Sequence, residues 1–237
     1  MEQGHIKINI DGREIIAKEG QSIVQAARDN GIFIPTLCDF KSLQPAGTCR
    51  MCLVKVGERY VSACTTIVSQ GMSVENESVE LKENRKSLIE MLFVEGNHMC
   101  PSCEKSGNCQ LQALAYRYQM TAPRYPFSFT QRKIDASLPY LVVEHNRCIQ
   151  CLRCVRGVKA KDGHDIFGFI DRGGAIHISV DTTDTEAATE VIAQKAMDIC
   201  PVGALIKKGG AYRVPIGERK YDNEVIGSDV EKERDKV

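Results

Sequence analysis

The chain has 237 residues, enough for one large domain or two to three small ones with a buried core. Its 31 basic and 31 acidic side chains leave no formal net charge, which argues against a nucleic-acid-binding stripe or a polybasic membrane anchor. The longest apolar runs, such as 32–34 and 141–143, fall far short of the roughly 18 residues needed to cross a bilayer. MEQGHIKINIDG lacks the basic region and apolar segment of a secretory signal, so a soluble, cytoplasmic protein with no transmembrane segment is expected.

In chain order, HIKINIDGREIIA alternates apolar and polar residues on either side of Asp11-Gly12, a hairpin signal. QSIVQAARDNG places Ile23, Val24, Ala26 and Ala27 on a short helix that starts at Ser22 and stops at Gly31. A loop with Cys38, Cys49 and Cys52 follows, then strand-like CLVKV and YVSAC, ending at Cys64. From residue 79 the period changes to helical, with Leu81, Leu88, Ile89, Leu92 and Phe93 before Gly96, and Leu111, Leu114 and Tyr118 after Cys109. TAPRYPFSFTQRK reads as a connector. The last unit begins near Pro139, includes the strand-like AIHISV, and closes at Cys200-Pro201. The division expected is an α+β domain over 1–78, a helical segment over 79–120, a connector over 121–138, a second cysteine-bearing domain over 139–210 and a charged tail over 211–237.

Eleven cysteines are many for such a chain. Their odd number, the absence of an export signal and the repeated Cys-x-x-Cys pairs favour metal ligation over disulfides. Cys38, Cys49, Cys52 and Cys64 are spaced C-x10-C-x2-C-x11-C. A structural zinc site is one reading, but zinc ribbons usually have two close pairs and here there is one. A lone cysteine, a close pair and a distant cysteine follow the order of plant-type [2Fe-2S] ferredoxins, with a longer first gap.

Cys148, Cys151, Cys154 and the Cys200-Pro201 pair are more diagnostic. A two-cluster bacterial ferredoxin runs C-x2-C-x2-C-x3-C-P twice, each fourth cysteine serving the other cluster. Here the positions that would serve one cluster hold Val158, Glu190, Ala193 and Ala196, while all ligands of the other are kept. This phase relation is the trace of a two-cluster protein reduced to one [4Fe-4S] site. Cys100, Cys103 and Cys109 remain, in GNHMCPSCEKSGNCQLQ. Three thiolates need a fourth partner: a non-cysteine side chain, a thiol from another subunit, or solvent. Eleven cysteines and one histidine make three complete sets of four, which makes His98 the candidate. His145 competes less well because its neighbour Cys148 has a full set. A neutral imidazole in place of a thiolate removes one negative charge and raises the potential.

With PTLCDF, GTCRMCLV, SACTT, EGNHMCPSCEKSGNCQLQ, RCIQCLRCVRG and DICPVGAL all present, the chain resembles the N-terminal iron-sulfur region of the large electron-transfer subunit of respiratory complex I. It is most similar to the diaphorase small (gamma) subunits of cytoplasmic NAD-reducing [NiFe] hydrogenases. The resemblance covers about residues 4–210. It implies a β-grasp [2Fe-2S] ferredoxin domain, a helical segment holding a [4Fe-4S] cluster by one histidine and three cysteines, and a ferredoxin-like [4Fe-4S] domain. Cofactors expected are therefore one [2Fe-2S] and two [4Fe-4S] clusters.

The partners implied are a flavin- and NAD-binding diaphorase large subunit and the small and large [NiFe] hydrogenase subunits. The chain's own role would be non-catalytic electron transfer within an oxidoreductase complex. No G-x-G-x-x-G turn for a dinucleotide is found, and no site for substrate, NAD or flavin is expected here. The competing readings are the same role in an NAD-dependent formate dehydrogenase or a complex I-like dehydrogenase, and a zinc-stabilised assembly adaptor. One departure stands out. In the complex I relatives three residues separate the histidine from the first cysteine, whereas His98 and Cys100 are separated by one, and the relatives' position is occupied by Gly96.

Overall fold

The computed structural model describes residues 4–128, 130–210 and 212–232; the remaining positions, including most of the EKERDKV end, lie outside the described residues. The chain divides into two units, Met1–Asp39 with Pro45–Leu88 and Val225–Val237, and Phe40–Gln44 with Ile89–Glu224.

In the first unit, β1 (His5–Ile10) and β2 (Arg13–Lys18) form the hairpin that the alternation predicts, with Ile10 opposite Arg13. Asp11 and Gly12 both adopt positive φ, 51° and 82°, the backbone whose twist matches that of paired strands. Ile8, Ile10, Ile15 and Ala17 face the core. Helix α1 (Ile23–Asp29) starts behind a reciprocal capping box of Ser22 and Gln25, a device that contributes about 1 kcal/mol, and buries Ile23, Val24, Ala26 and Ala27 in that core. Strands β3 (Leu53–Val56), β4 (Arg59–Ser62) and β5 (Ser73–Glu75) complete a sheet of order β2-β1-β5-β3-β4. The central β5 runs parallel to β1 and antiparallel to β3.

Helix α2 (Val79–Val94) buries Leu81 and also Arg85, which is fully enclosed. The Arg85 guanidinium donates to the carbonyls of Asn76 (2.9 Å) and Leu53 (3.0 Å) and to Asn76 Oδ1 (2.7 Å). A buried cation is tolerated because oxygen acceptors replace the water it loses. These bonds tie the helix to β3, directly after Cys52.

The second unit contains α3 (Gln110–Arg117), β6 (Ile134–Asp135), β7 (Leu141–Glu144), α4 (Arg153–Gly157), β8 (Phe167–Ile170), β9 (His177–Val180), α5 (Glu190–Ile199), β10 (Leu205–Lys207) and α6 (Lys220–Asn223). A final helix, α7 (Ser228–Lys232), belongs to the first unit. Strand β7 pairs antiparallel with both β10 and β6, and β8 with β9. From β7 to β10 the order is strand, helix, two strands, helix, strand. Val158, Ala193 and Ala196, at three of the positions where ligands of a second cluster would stand, are fully buried. Apolar side chains close that space, since an unfilled one would forfeit their packing contacts. Glu190, at the fourth, is exposed and pairs with Lys207 at 2.6 Å.

Within the second unit, residues 212–223 lie against the loop that carries Cys103 and Cys109. The Tyr212 hydroxyl donates to the Ser102 carbonyl (3.1 Å), the Tyr221 amide to the Gly107 carbonyl (2.8 Å) and the Lys220 amide to Asn108 Oδ1 (3.1 Å). Arg219 is buried and donates to the carbonyls of Ser106 and Val214.

Candidate metal centres

The first donor set lies in the first unit. Cys38, Cys52 and Cys64 are buried and Cys49 half-buried. The Cys38 thiol contacts those of Cys49 and Cys64, and Cys52 contacts Cys64. These hydrogen bonds hold Cys38 and Cys52 below the usual thiol range and, with burial, push Cys49 and Cys64 above it. The loop turns through left-handed backbone at Gly47 (67°) and Arg50 (56°), which points amides inward. Cys38 Sγ accepts from the Cys49 amide and the Thr48 hydroxyl, and Cys49 Sγ from the amides of Met51 and Leu37.

His98, Cys100, Cys103 and Cys109 line one cavity in the second unit, walled by Phe93, Leu111 and Gly203. Desolvation, with the positive charge of Arg147, depresses the His98 pKa to about 4, so the ring is neutral near pH 7 and keeps a lone pair for a metal. The Leu92 carbonyl acts in the opposite sense, favouring the protonated ring, but is outweighed by burial. Cys109 is the N-cap of α3, its sulfur accepting from the Gln112 amide at 3.5 Å, so it sits at the positive end of the helix dipole. Burial nevertheless pushes Cys109 up to about 12 and raises Cys100.

Cys148, Cys151, Cys154 and Cys200 line a second cavity of that unit, with Val143, Ile178 and Leu205 as apolar walls. Gln150 (53°) and Leu152 (63°) take left-handed backbone between the three close cysteines, and the Gln150 amide reaches Cys148 Sγ at 3.5 Å. Burial raises Cys148 to about 11, Cys151 to about 12 and Cys154 further still. His145 stacks edge-on against His177, with ring centroids 5.1 Å apart, and is not among the residues lining either cavity.

These residues fit iron-sulfur groups. Buried thiols with raised pKa values are deprotonated outright when a cationic metal core takes the place of the proton. Among the described residues no three His, Cys, Asp or Glu groups meet closely enough to hold a single ion. In the second unit the donors ring a space instead, as ligands on separate irons would.

The two sets of the second unit share a corner, and here lie residues that sequence reasoning missed. The Gln110 amide donates to the Pro201 carbonyl (2.8 Å) and Lys105 Nζ to the Met197 carbonyl (2.7 Å). A Cβ on Gly203 would stand 2.6 Å from Cys103 Sγ, so only glycine lets the chain after Cys200 lie against the other set. The glycine two residues after Cys-Pro was the available signal. Arg147 and the Leu92 carbonyl carried none.

Three family models match the chain: a 2Fe-2S iron-sulfur cluster binding domain over residues 3–79, the NADH-ubiquinone oxidoreductase-G iron-sulfur binding region over 85–124, and the NADH-quinone oxidoreductase subunit 3, ferredoxin-like domain over 139–206. The gamma subunit of the NAD-reducing hydrogenase HoxS of Cupriavidus necator is 44% identical over 218 residues, covering 92% of this chain and 93% of that one. The mitochondrial NADH-ubiquinone oxidoreductase 78 kDa subunit of Candida albicans is 34% identical over 91% of this chain, which spans only 30% of that protein. A crystal structure of NAD+-reducing [NiFe]-hydrogenase in the H2-reduced state contains a chain that superposes with a TM-score of 0.88 at 38% identity, covering 97% of this chain and 98% of that one.

Proposed function

This chain belongs to the family of NAD-reducing hydrogenase gamma subunits, and we infer that it is the electron wire of such an enzyme, relaying electrons between a flavin- and NAD-binding diaphorase subunit and the [NiFe] hydrogenase small and large subunits. Its own part is non-catalytic. Cys38, Cys49, Cys52 and Cys64 would hold a [2Fe-2S] cluster, His98, Cys100, Cys103 and Cys109 a [4Fe-4S] cluster, and Cys148, Cys151, Cys154 and Cys200 a second [4Fe-4S] cluster. When bound, these groups supply one-electron storage at three points along the chain.

The polypeptide does the rest. The thiol pairs Cys38–Cys49 and Cys52–Cys64 suit two irons with two cysteines each. Amides aimed at sulfur favour the more negative, reduced state, and apolar walls such as Val143 and Leu205 keep water away from it. The five-stranded sheet with α1 reads as a β-grasp ferredoxin domain, and β7 to β10 as a ferredoxin-like domain. The sequence-based boundaries at 78, 120, 138 and 210 remain our division of the chain.

The observation that carries this reading is His98 lining the same cavity as the three cysteines that lack a fourth thiol. Iron counting on anaerobically prepared complex tests it: about ten irons per chain are required, from one two-iron and two four-iron groups. A His98→Ala variant should keep the signals of the other two groups and lose or alter the EPR signal of the first four-iron group. An unaltered signal removes His98 from the set, and a colourless, zinc-loaded chain refutes electron transfer altogether.

A further inference from the structure

Arg147 directly precedes Cys148, a ligand of the second four-iron set, yet its side chain turns to the first. Arg147 Cδ and Cys103 Sγ lie 3.5 and 2.6 Å from the same point, the place a Cβ on Gly203 would occupy. Arg147 Nη1 donates to Glu104 Oε2 at 2.8 Å, and Glu104 follows Cys103 in sequence. The Arg147 side chain is only 14% exposed, and its buried Nε has no hydrogen-bond partner among the described residues. An unpaired buried N–H costs about 1–3 kcal/mol, so a donor kept at this spot calls for an acceptor that the polypeptide does not supply. The positive charge of Arg147 is felt at both His98 and Cys100.

We propose that Arg147 sets the reduction potential of the group held by His98, Cys100, Cys103 and Cys109, its Nε–H donating to a sulfur facing it and its charge, tempered by Glu104, favouring the electron-rich state. The inference rests on the cluster assignment made above. Three thiolates and one neutral imidazole already make this set less negative than four thiolates, and the cation of Arg147, whose Cδ shares the space beside Gly203 with Cys103 Sγ, continues in the same direction. Reduction adds one electron and breaks no bond, so the protein acts on it only through charge and hydrogen bonds. Glu104 opposes the cation, and the two residues therefore predict shifts of opposite sign. Arg147 is a positioning residue in this scheme, since it ligates nothing.

The test is an EPR-monitored redox titration of the whole complex carrying Arg147→Gln, Arg147→Lys or Glu104→Gln, with iron counted in every sample. Arg147→Gln should lower the reduced-to-oxidised ratio of the first four-iron group at fixed poise by about tenfold, equivalent to about 59 mV for one electron. Arg147→Lys keeps the charge and should recover part of that loss. Glu104→Gln should raise the ratio, and the two-iron group should keep its own in all three variants.

Equal-sign shifts for Arg147→Gln and Glu104→Gln, or no shift at full iron, would reduce the pair to a structural strut and overturn the proposal. If Arg147→Gln loses four irons, Glu104→Gln decides alone: a raised ratio supports the proposal, and an unchanged or lowered one overturns it. Wild-type complex with about six irons instead of ten would sink the cluster assignment itself, and this inference with it.

Discussion

Replacing Gly203 by alanine should damage the first four-iron site from outside its ligand set. The added Cβ would stand 2.6 Å from Cys103 Sγ, against an optimum of about 3.5–4.0 Å for such contacts, an overlap of about 1 Å. Lys105 Cβ at 3.3 Å and Arg147 Cδ at 3.5 Å also stand close to that point. Overpacking of this kind costs about 1–3 kcal/mol. For a chain of this size each kcal/mol lowers the melting temperature by about 2–4 °C, giving a loss of about 2–12 °C. If Cys103 moves aside, the proposed ligand set loses a thiolate, so iron content should fall toward about six per chain. Gly168→Ala in β8 is the control, since its Cβ would meet nothing within 4 Å. Thermal melts and iron counts on the same anaerobic preparations read both effects. Gly203→Ala with wild-type iron and a melting temperature equal to that of Gly168→Ala would refute the argument from close approach.

Two further outcomes follow from buried and paired charges. Arg85→Met should destabilise the chain by about 1–3 kcal/mol for each acceptor it strands, seen in urea unfolding, because the carbonyls of Leu53 and Asn76 lose its donors; a loss below about 1 kcal/mol would contradict an anchoring role. His164 contacts Asp162 and, at 2.8 Å, Asp184, and these carboxylates raise its pKa above 6.5. Their stabilisation is fully present below the unfolded value of about 6.5 and is lost as pH rises through the higher folded value. An NMR titration of His164 should show the raised midpoint, and Asp184→Asn should lower it; a midpoint at or below 6.5 would rule the pairing out.

What the sequence made legible was local. The Asp-Gly hairpin, the Ser22 cap and the helical period of α2 depend on neighbours a few residues away, and the structure has them where the pattern placed them. The central strand β5 was not individually legible: it has three residues, and it exists because Ser73 and Val74 pair with Asn9 and Ile10, more than sixty positions earlier. Cysteine spacing pointed to side chains that line common cavities because covalent geometry limits what two intervening residues can reach. Arg147 was invisible because packing across more than forty residues brings it beside Glu104 and Cys103, whereas Gly203 left only the faint signal of a glycine two residues after Cys-Pro. Polar composition marked 211–237 as a charged tail. Yet Arg219 is buried there with carbonyl acceptors for its donors, since a charged side chain packs inside when its hydrogen bonds are met.

Position 96 shows how a spacing rule and a packing rule give different answers about one proposed ligand. Counted along the chain, a histidine with one residue before Cys100 departs from the three-residue gap of the complex I relatives, and Gly96 at their position has no side chain to offer. In space the two facts are one. A Cβ on Gly96 would lie 2.7 Å from His98 Nε2 and 2.7 Å from the Asn146 carbonyl, so the imidazole of His98 occupies the room that any side chain at 96 would need. The Asn97 amide donates to the same Asn146 carbonyl at 2.7 Å, which turns the chain between glycine and histidine. Glycine at 96 is thus a requirement for histidine at 98. A histidine displaced by two residues along the backbone reaches the cavity lined by Cys100, Cys103 and Cys109 because the backbone it folds over carries no Cβ. Restoring a side chain at 96 would evict His98 before it could replace it.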